Sequence, residues 1–266
     1  MLNSLLFFPV LYFIGWVGSN LLVYFFPSLE IGKSLYGTIL TFLIFLIVLP
    51  IWCKFKWNKK FSYAIGNIKL NNKRLLLLLS GEICKSFLII LIISFLLIFG
   101  GFADLENKVN IRLIFDSFFL AFLVGFAEEL VFRVWLFEEL NLYFNFVKSN
   151  ILQSILFAIL HFRWDMSLTN NFQLILGLFL LGLYLNKWRS LELQSILFPI
   201  SFHGSLVGFW FLIDQSILNI HSNVPEIFFG PGEEGNINPV GGLIGICLLI
   251  ILNLFQTSRS FYINKN

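Results

Sequence analysis

The chain predicts an all-α fold, a polytopic membrane helix bundle with about eight transmembrane segments. Mean hydropathy is +0.86, and 58% of the residues are hydrophobic against 12% charged. A 266-residue soluble domain could not hide that much apolar surface, 34 phenylalanines included. The apolar residues also fall into separate runs, and roughly 17 to 25 such residues suffice to cross a bilayer.

In chain order these runs are Leu5–Phe26, Tyr36–Cys53, Leu75–Phe102, Leu113–Leu140, Ile151–Phe162, Phe172–Leu185, Ser195–Ile213 and Val240–Phe255. The fifth and sixth are short enough to be partial or tilted. Met1-Leu2-Asn3 has no basic n-region and no small-residue cleavage site follows, so the first run reads as a retained span. Gly230-Pro231-Gly232 and Asn238-Pro239 mark turns ahead of the last one. No internal repeat or low-complexity linker interrupts the series, and residues 1–266 read as a single membrane domain. Cys53, Cys84 and Cys247 form no CxxC pair and read as small buried hydrophobes.

Charge orients the bundle. The connection from Lys54 to Arg74 carries Lys54, Lys56, Lys59, Lys60, Lys69, Lys73 and Arg74 with no acid, which the positive-inside rule assigns to the cytoplasm. Alternation then puts both termini in the cytoplasm. The inner pieces also hold Lys148, Lys187, Arg189, Arg259 and Lys265, while the outer pieces hold only Lys33, Lys108, Arg112 and Arg163. The segment Asp214–Pro239 has four acids, Asp214, Glu226, Glu233 and Glu234, and no Lys or Arg. A net charge of +3 is therefore a topology signal, and no nucleic-acid partner is implied. Low Ala with high Ile, Asn, Lys and Phe suggests an AT-rich bacterial genome, hence a bacterial plasma membrane.

Glu128, Glu129 and Arg133 interrupt the fourth run. Ionisable groups at bilayer depth cost several kcal/mol each and persist where they pair or act. Glu129 and Arg133 are four apart on one helical face, in the acid-before-base order that favours an ion pair. Glu128 points about 100° away, without a local partner, which suits it to general acid/base work. Of three histidines, two lie in spans, His161 at the end of the fifth and His203 within the seventh; His221, in the outer loop, reads as solvated. Phe157 precedes His161 by four and shares its face, where an aromatic ring could wall the pocket and fix the imidazole.

The sequence Glu128-Glu129-Leu130-Val131-Phe132-Arg133, then Phe157-Ala158-Ile159-Leu160-His161, then His203, resembles the CPBP family of intramembrane proteases. This family holds the type II CAAX prenyl endopeptidases and the bacteriocin-processing or Abi-type members. The resemblance covers a catalytic core of about residues 113–213 and implies a cavity among the fourth to seventh spans. It implies that Glu128 activates water for attack on a peptide bond and that His161 shares that water. It also implies that His203, with an asparagine four residues later, stabilises the oxyanion, but Val207 stands there in this chain. Loss of one such donor typically costs on the order of 10²-fold to 10³-fold in rate, and Ser205 and Asn219 are the polar candidates to replace it.

The function implied is an intramembrane endopeptidase, its substrate a membrane-embedded or lipidated peptide and its surroundings the lipid bilayer. Glu128, His161 and His203 could supply three ligands to a divalent metal such as zinc, although no HExxH occurs; metal participation stays open, and of the two mechanisms the resemblance implies the metal-free glutamate version is favoured. Two other readings stand beside it. One is a catalytically silent scaffold, such as an immunity-type protein binding a peptide in the same cavity. The other is a transporter using Glu82, Lys85, Glu128, Glu129 and Arg133, the weaker because no inverted repeat is evident.

Overall fold

The computed structural model describes residues 2–66, 72–190, 195–233 and 236–263. Met1, Lys69, Glu234 and Lys265, used above, lie outside the described residues. Two compact units divide the chain, Met1–Ala64 and Ile65–Asn266. Each of the eight apolar runs carries a helix, so the chain is an all-α membrane bundle with only short strand pairs.

The first unit is a helical hairpin. Helix α1 (Leu2–Phe25) is joined by a 3-10 turn (Pro27–Gly32) to α2 (Lys33–Lys56), and a short α3 (Phe61–Ala64) follows. The two long helices pack antiparallel, with Phe7 against Phe45 and Trp52 at one end. At the other, a Cβ on Gly15 would come within 2.8 Å of the Gly37 carbonyl. Without a hydrophobic drive between helices in lipid, such small-residue seams let backbones approach and supply the packing.

The second unit begins with α4 (Asn72–Phe99) and β1 (Ala103–Leu105). A long helix follows, built from α5 (Ile111–Glu129), a π-helical turn (Leu130–Leu136) and α6 (Phe137–Asn141). Next come α7 (Phe146–Ile159), α8 (Leu168–Ser190), α9 (Leu197–Ser216), β2 (Leu218–Ile220) and α10 (Glu226–Phe229). A two-residue ribbon of β3 (Gly232–Glu233) and β4 (Asn236–Ile237), a 3-10 turn at Pro239–Gly241 and α11 (Leu243–Ile263) complete it. Asn110 and Asn145 start α5 and α7 as N-caps, each accepting at 3.0 Å from the backbone N–H three residues on.

Helix directions alternate. The starts of α4 and α9 share one end, where Ile196 N–H donates to the Ile65 carbonyl, and at the other end β1 pairs antiparallel with β2. Helix α5 runs against α9 through a glycine seam. A Cβ on Gly204 would sit 2.4 Å from the Ala121 carbonyl oxygen, and Ser117 Oγ donates to the Gly208 carbonyl at 2.8 Å. Helix α8 runs against α7, with Asn186 Nδ2 donating to Asn150 Oδ1, while α11 follows α8, and Lys187 Nζ donates to the Asn253 carbonyl.

Among the described residues five helices are long and apolar enough to cross a membrane, α1, α2, α4, α8 and α9; α7 and α11 are shorter apolar helices. The sixth run is not short, because α8 extends from Leu168 to Ser190. Its polar start is satisfied from the preceding loop: Asn171 accepts from Arg163 N–H and donates to the carbonyls of Arg163, Met166 and Ser167. Cys84 and Cys247 are exposed on the outside of the bundle, and only Cys53 is buried. His221 is half-exposed and bonds to Asp104 at 3.0 Å across the β1–β2 ribbon.

Candidate active site

Three side chains from three elements meet in the second unit. Glu128 lies in the last turn of α5, His161 follows the last turn of α7, and His203 lies in the second turn of α9. Both imidazole Nε2 atoms lie 3.8 Å from the same carboxylate oxygen, Glu128 Oε2. That oxygen is buried and makes no hydrogen bond to protein. The glycine seam accounts for the approach of α5 and α9, since Gly125 packs directly on Gly204, the residue after His203.

Ring orientation is fixed from behind. His161 Nδ1 lies 2.7 Å from the Phe157 carbonyl; a carbonyl only accepts, so Nδ1 carries the proton and Nε2 turns its lone pair to Glu128. His203 Nδ1 lies 2.8 Å from Glu129 Oε1, which likewise directs Nε2 of that ring to Glu128. The Phe157 ring packs edge-on against both imidazoles, with centroids at 4.9 Å and 6.0 Å. Phe157 is fully buried and stands behind the cavity wall, not on its lining.

Glu129 and Arg133 lie beneath. Both are completely buried, with Arg133 Nε 3.1 Å from Glu129 Oε2, and the guanidinium also sits 4.4 Å over the Phe157 ring. The π-helical turn holds Arg133 within one further turn of the glutamates; such turns are frequent at functional sites. Glu129 thus links two partners, Arg133 on its own helix and His203 on α9. The second link was missed from sequence, because the two residues are 74 apart and no local period connects them.

The three convergent residues face a cavity of about 560 Å³, lined by Leu120, Val124, Leu178, Leu206, Trp210 and Phe211 on its apolar walls. Val207 also lines it. Neither expected substitute for the missing donor does. Ser205 Oγ donates to the Ser201 carbonyl and contacts Ser86 of α4, and Asn219 sits in β2 opposite Asp104. The polar lining residues beyond the site are Arg163, Asp214, Gln215 and Asn238. Arg163 donates to Asp165 at 2.6 Å, a bond that holds this exposed carboxyl below the usual carboxylate range.

Two observations bear on the other readings. Among the described residues no group of three His, Cys, Asp or Glu side chains is arranged to hold a metal ion. Two donors on one tetrahedral zinc lie about 3.4 Å apart, closer than the 3.8 Å found between Glu128 and each histidine. Glu82 and Lys85 are paired in α4, and Tyr184 donates to Glu82 at 2.7 Å, so this buried acid is bonded within the bundle and does not line the cavity.

Residues 110–209 match the family model described as type II CAAX prenyl endopeptidase Rce1-like, and residues 1–61 match a domain of unknown function, DUF8676. No curated protein matches the chain. The Rce1-like match spans all of Glu128, Glu129, Arg133, Phe157, His161, His203 and Val207. The Rce1-like match over residues 110–209 supports assignment of this part of the chain to the CPBP family of intramembrane proteases, set in a multi-pass membrane bundle.

Proposed function

We propose that the chain is an intramembrane endopeptidase in which Glu128 activates water. The observation that carries this is the pair of 3.8 Å separations from Glu128 Oε2 to His161 Nε2 and His203 Nε2. A gap of that size fits one water hydrogen-bonded at about 2.8 Å to carboxylate and imidazole. Glu128 takes a proton from this water while His161 Nε2 accepts a hydrogen bond from its other O–H. The water oxygen attacks the carbonyl carbon, the peptide C–N bond breaks, and the proton on Glu128 passes to the leaving amine.

His203 faces the oxyanion. Its Nδ1 is held 2.8 Å from Glu129 Oε1, which turns Nε2 toward the cavity, where an N–H would donate to the developing charge beside the Glu129 carboxylate. The proposed step uses no metal. The substrate is a membrane-associated polypeptide, the site lies in a bacterial plasma membrane, and both termini are cytoplasmic. Reconstituted protein should cleave membrane-associated peptides and Glu128→Gln should not; equal turnover by both refutes the assignment.

A second reading rests on Val207. It occupies the cavity wall where the family pattern has an amide donor, and Ser205 is turned away to α4. On this reading the cavity binds a peptide without cutting it, as an immunity-type scaffold would. Tight binding of a leader peptide, equal in wild type and Glu128→Gln and without cleavage, is its signature.

A further inference from the structure

We infer that the cavity opens on the extracytoplasmic face, so that its substrates are exported polypeptide segments and not C-terminal tails lipidated in the cytoplasm. This rests on the endopeptidase reading for the word substrate, but its geometry stands apart from any catalysis. The cavity lining climbs one face of α9 from His203 through Leu206 and Val207, then Trp210 and Phe211, to Asp214 and Gln215. On α5 it runs back from Glu128 through Val124 to Leu120. Both stripes lead away from the glutamate toward the end of the unit that carries β1, β2, the loop around Arg163 and the turn at Pro239, and residues from the last two line the mouth.

The opposite end is closed. Below His203 and Glu128 lie the buried Glu129, Arg133, Phe157, Phe198 and Phe202, and Tyr184 packs on Phe202 with centroids at 4.6 Å. This closed end holds Lys73 and Arg74 at the start of α4, Lys148 at the start of α7 and Lys187 near the end of α8. In sequence, the seven bases of the connection from Lys54 to Arg74 run up to and into the start of α4.

At the mouth end of this unit the basic residues are Lys108, Arg112 and Arg163, three against the seven of the Lys54–Arg74 connection together with Lys148 and Lys187. The positive-inside rule counts basic residues near the ends of spans. It retains the closed end in the cytoplasm and sends the mouth outside. From His203 to Asp214 the stripe is eleven residues of helix, about 17 Å at 1.5 Å per residue. About five residues of extended polypeptide cover that depth at 3.3 Å each. The apolar walls would take an apolar segment entering from the outer surface, with its scissile bond about five residues in.

The test is labelling by a membrane-impermeant maleimide on intact cells, using variants in which Cys53, Cys84 and Cys247 are replaced by serine. Gln215→Cys and, as a second mouth position, Asp165→Cys should label in intact cells; Lys148→Cys should label only after lysis. The reverse pattern overturns the proposal. Repeating Gln215→Cys in the Glu128→Gln background separates the two claims, because labelling there is unchanged whether or not the protein is a protease. Absence of cleavage with outward labelling overturns the protease reading alone.

Discussion

Replacing Glu129 by glutamine leaves a guanidinium stranded. Arg133 is fully buried, its closest charged partner is Glu129 at 3.1 Å, with Glu128 the more distant second carboxylate, and its guanidinium lies over the face of Phe157. Removing one member of such a pair leaves a buried charge uncompensated, which costs about 3–5 kcal/mol. At about 2–4 °C per kcal/mol for a unit of this size, the melting temperature should fall by roughly 6–20 °C. Turnover should fall as well, for a separate reason. The glutamine oxygen can still accept from His203 Nδ1, but the carboxylate charge beside the imidazole at the oxyanion is gone, a loss comparable to an oxyanion donor at about 10²-fold to 10³-fold.

A double variant, Glu129→Gln with Arg133→Met, separates the effects. With both charges removed, stability should return to within about 1 kcal/mol of wild type, since buried pairs are often neutral against apolar replacements. Turnover should stay low. Differential scanning fluorimetry in detergent and a peptidase assay on the same preparations read both quantities. If Glu129→Gln melts within about 2 °C of wild type, the assignment of Glu129 as the charge that holds Arg133 is refuted.

Three further outcomes follow from the same geometry. Val207→Asn places an amide donor on the cavity wall one turn above His203 and should raise kcat with little change in KM, because such a bond is strongest in the transition state; unchanged kcat favours the scaffold reading. Gly204→Ala puts a methyl 2.4 Å from the Ala121 carbonyl, so α5 and α9 must part. Thermal denaturation should show a loss of about 1–3 kcal/mol, and a shift of about 1 Å between Glu128 and His203 can cost about 10²-fold in rate. Chelator treatment should leave kcat intact, and loss of activity restored by added zinc would return the metal-assisted mechanism.

Much of this was written into the sequence because hydropathy and helical period are local. Eight apolar runs became eight helical regions, and Glu129 with Arg133 at a spacing of four became an ion pair. What was hidden depends on contacts between distant segments. Pairing of β1 with β2 joins residues more than a hundred apart through strands of three residues, too short for any alternation to register. The π-helical turn is a backbone adjustment with no residue signature. The rotation of Ser205 toward Ser86 and the second bond of Glu129 to His203 are set by how α9 packs against α4 and α5. The one local clue was the glycine spacing at 204 and 208 on α9, which marks a close approach without naming its partner.

The central claim is that Glu128 activates water for peptide hydrolysis, and the most direct test is mass spectrometry of membrane-derived peptides and new N-termini in cells carrying wild type or Glu128→Gln. Both proteins should accumulate to the same level, because Glu128 lines the cavity and takes no part in the buried Glu129–Arg133 pair. The account predicts a defined set of new N-termini in wild-type cells that disappears in the variant. Identical peptide sets in the two, at equal protein levels, would contradict it.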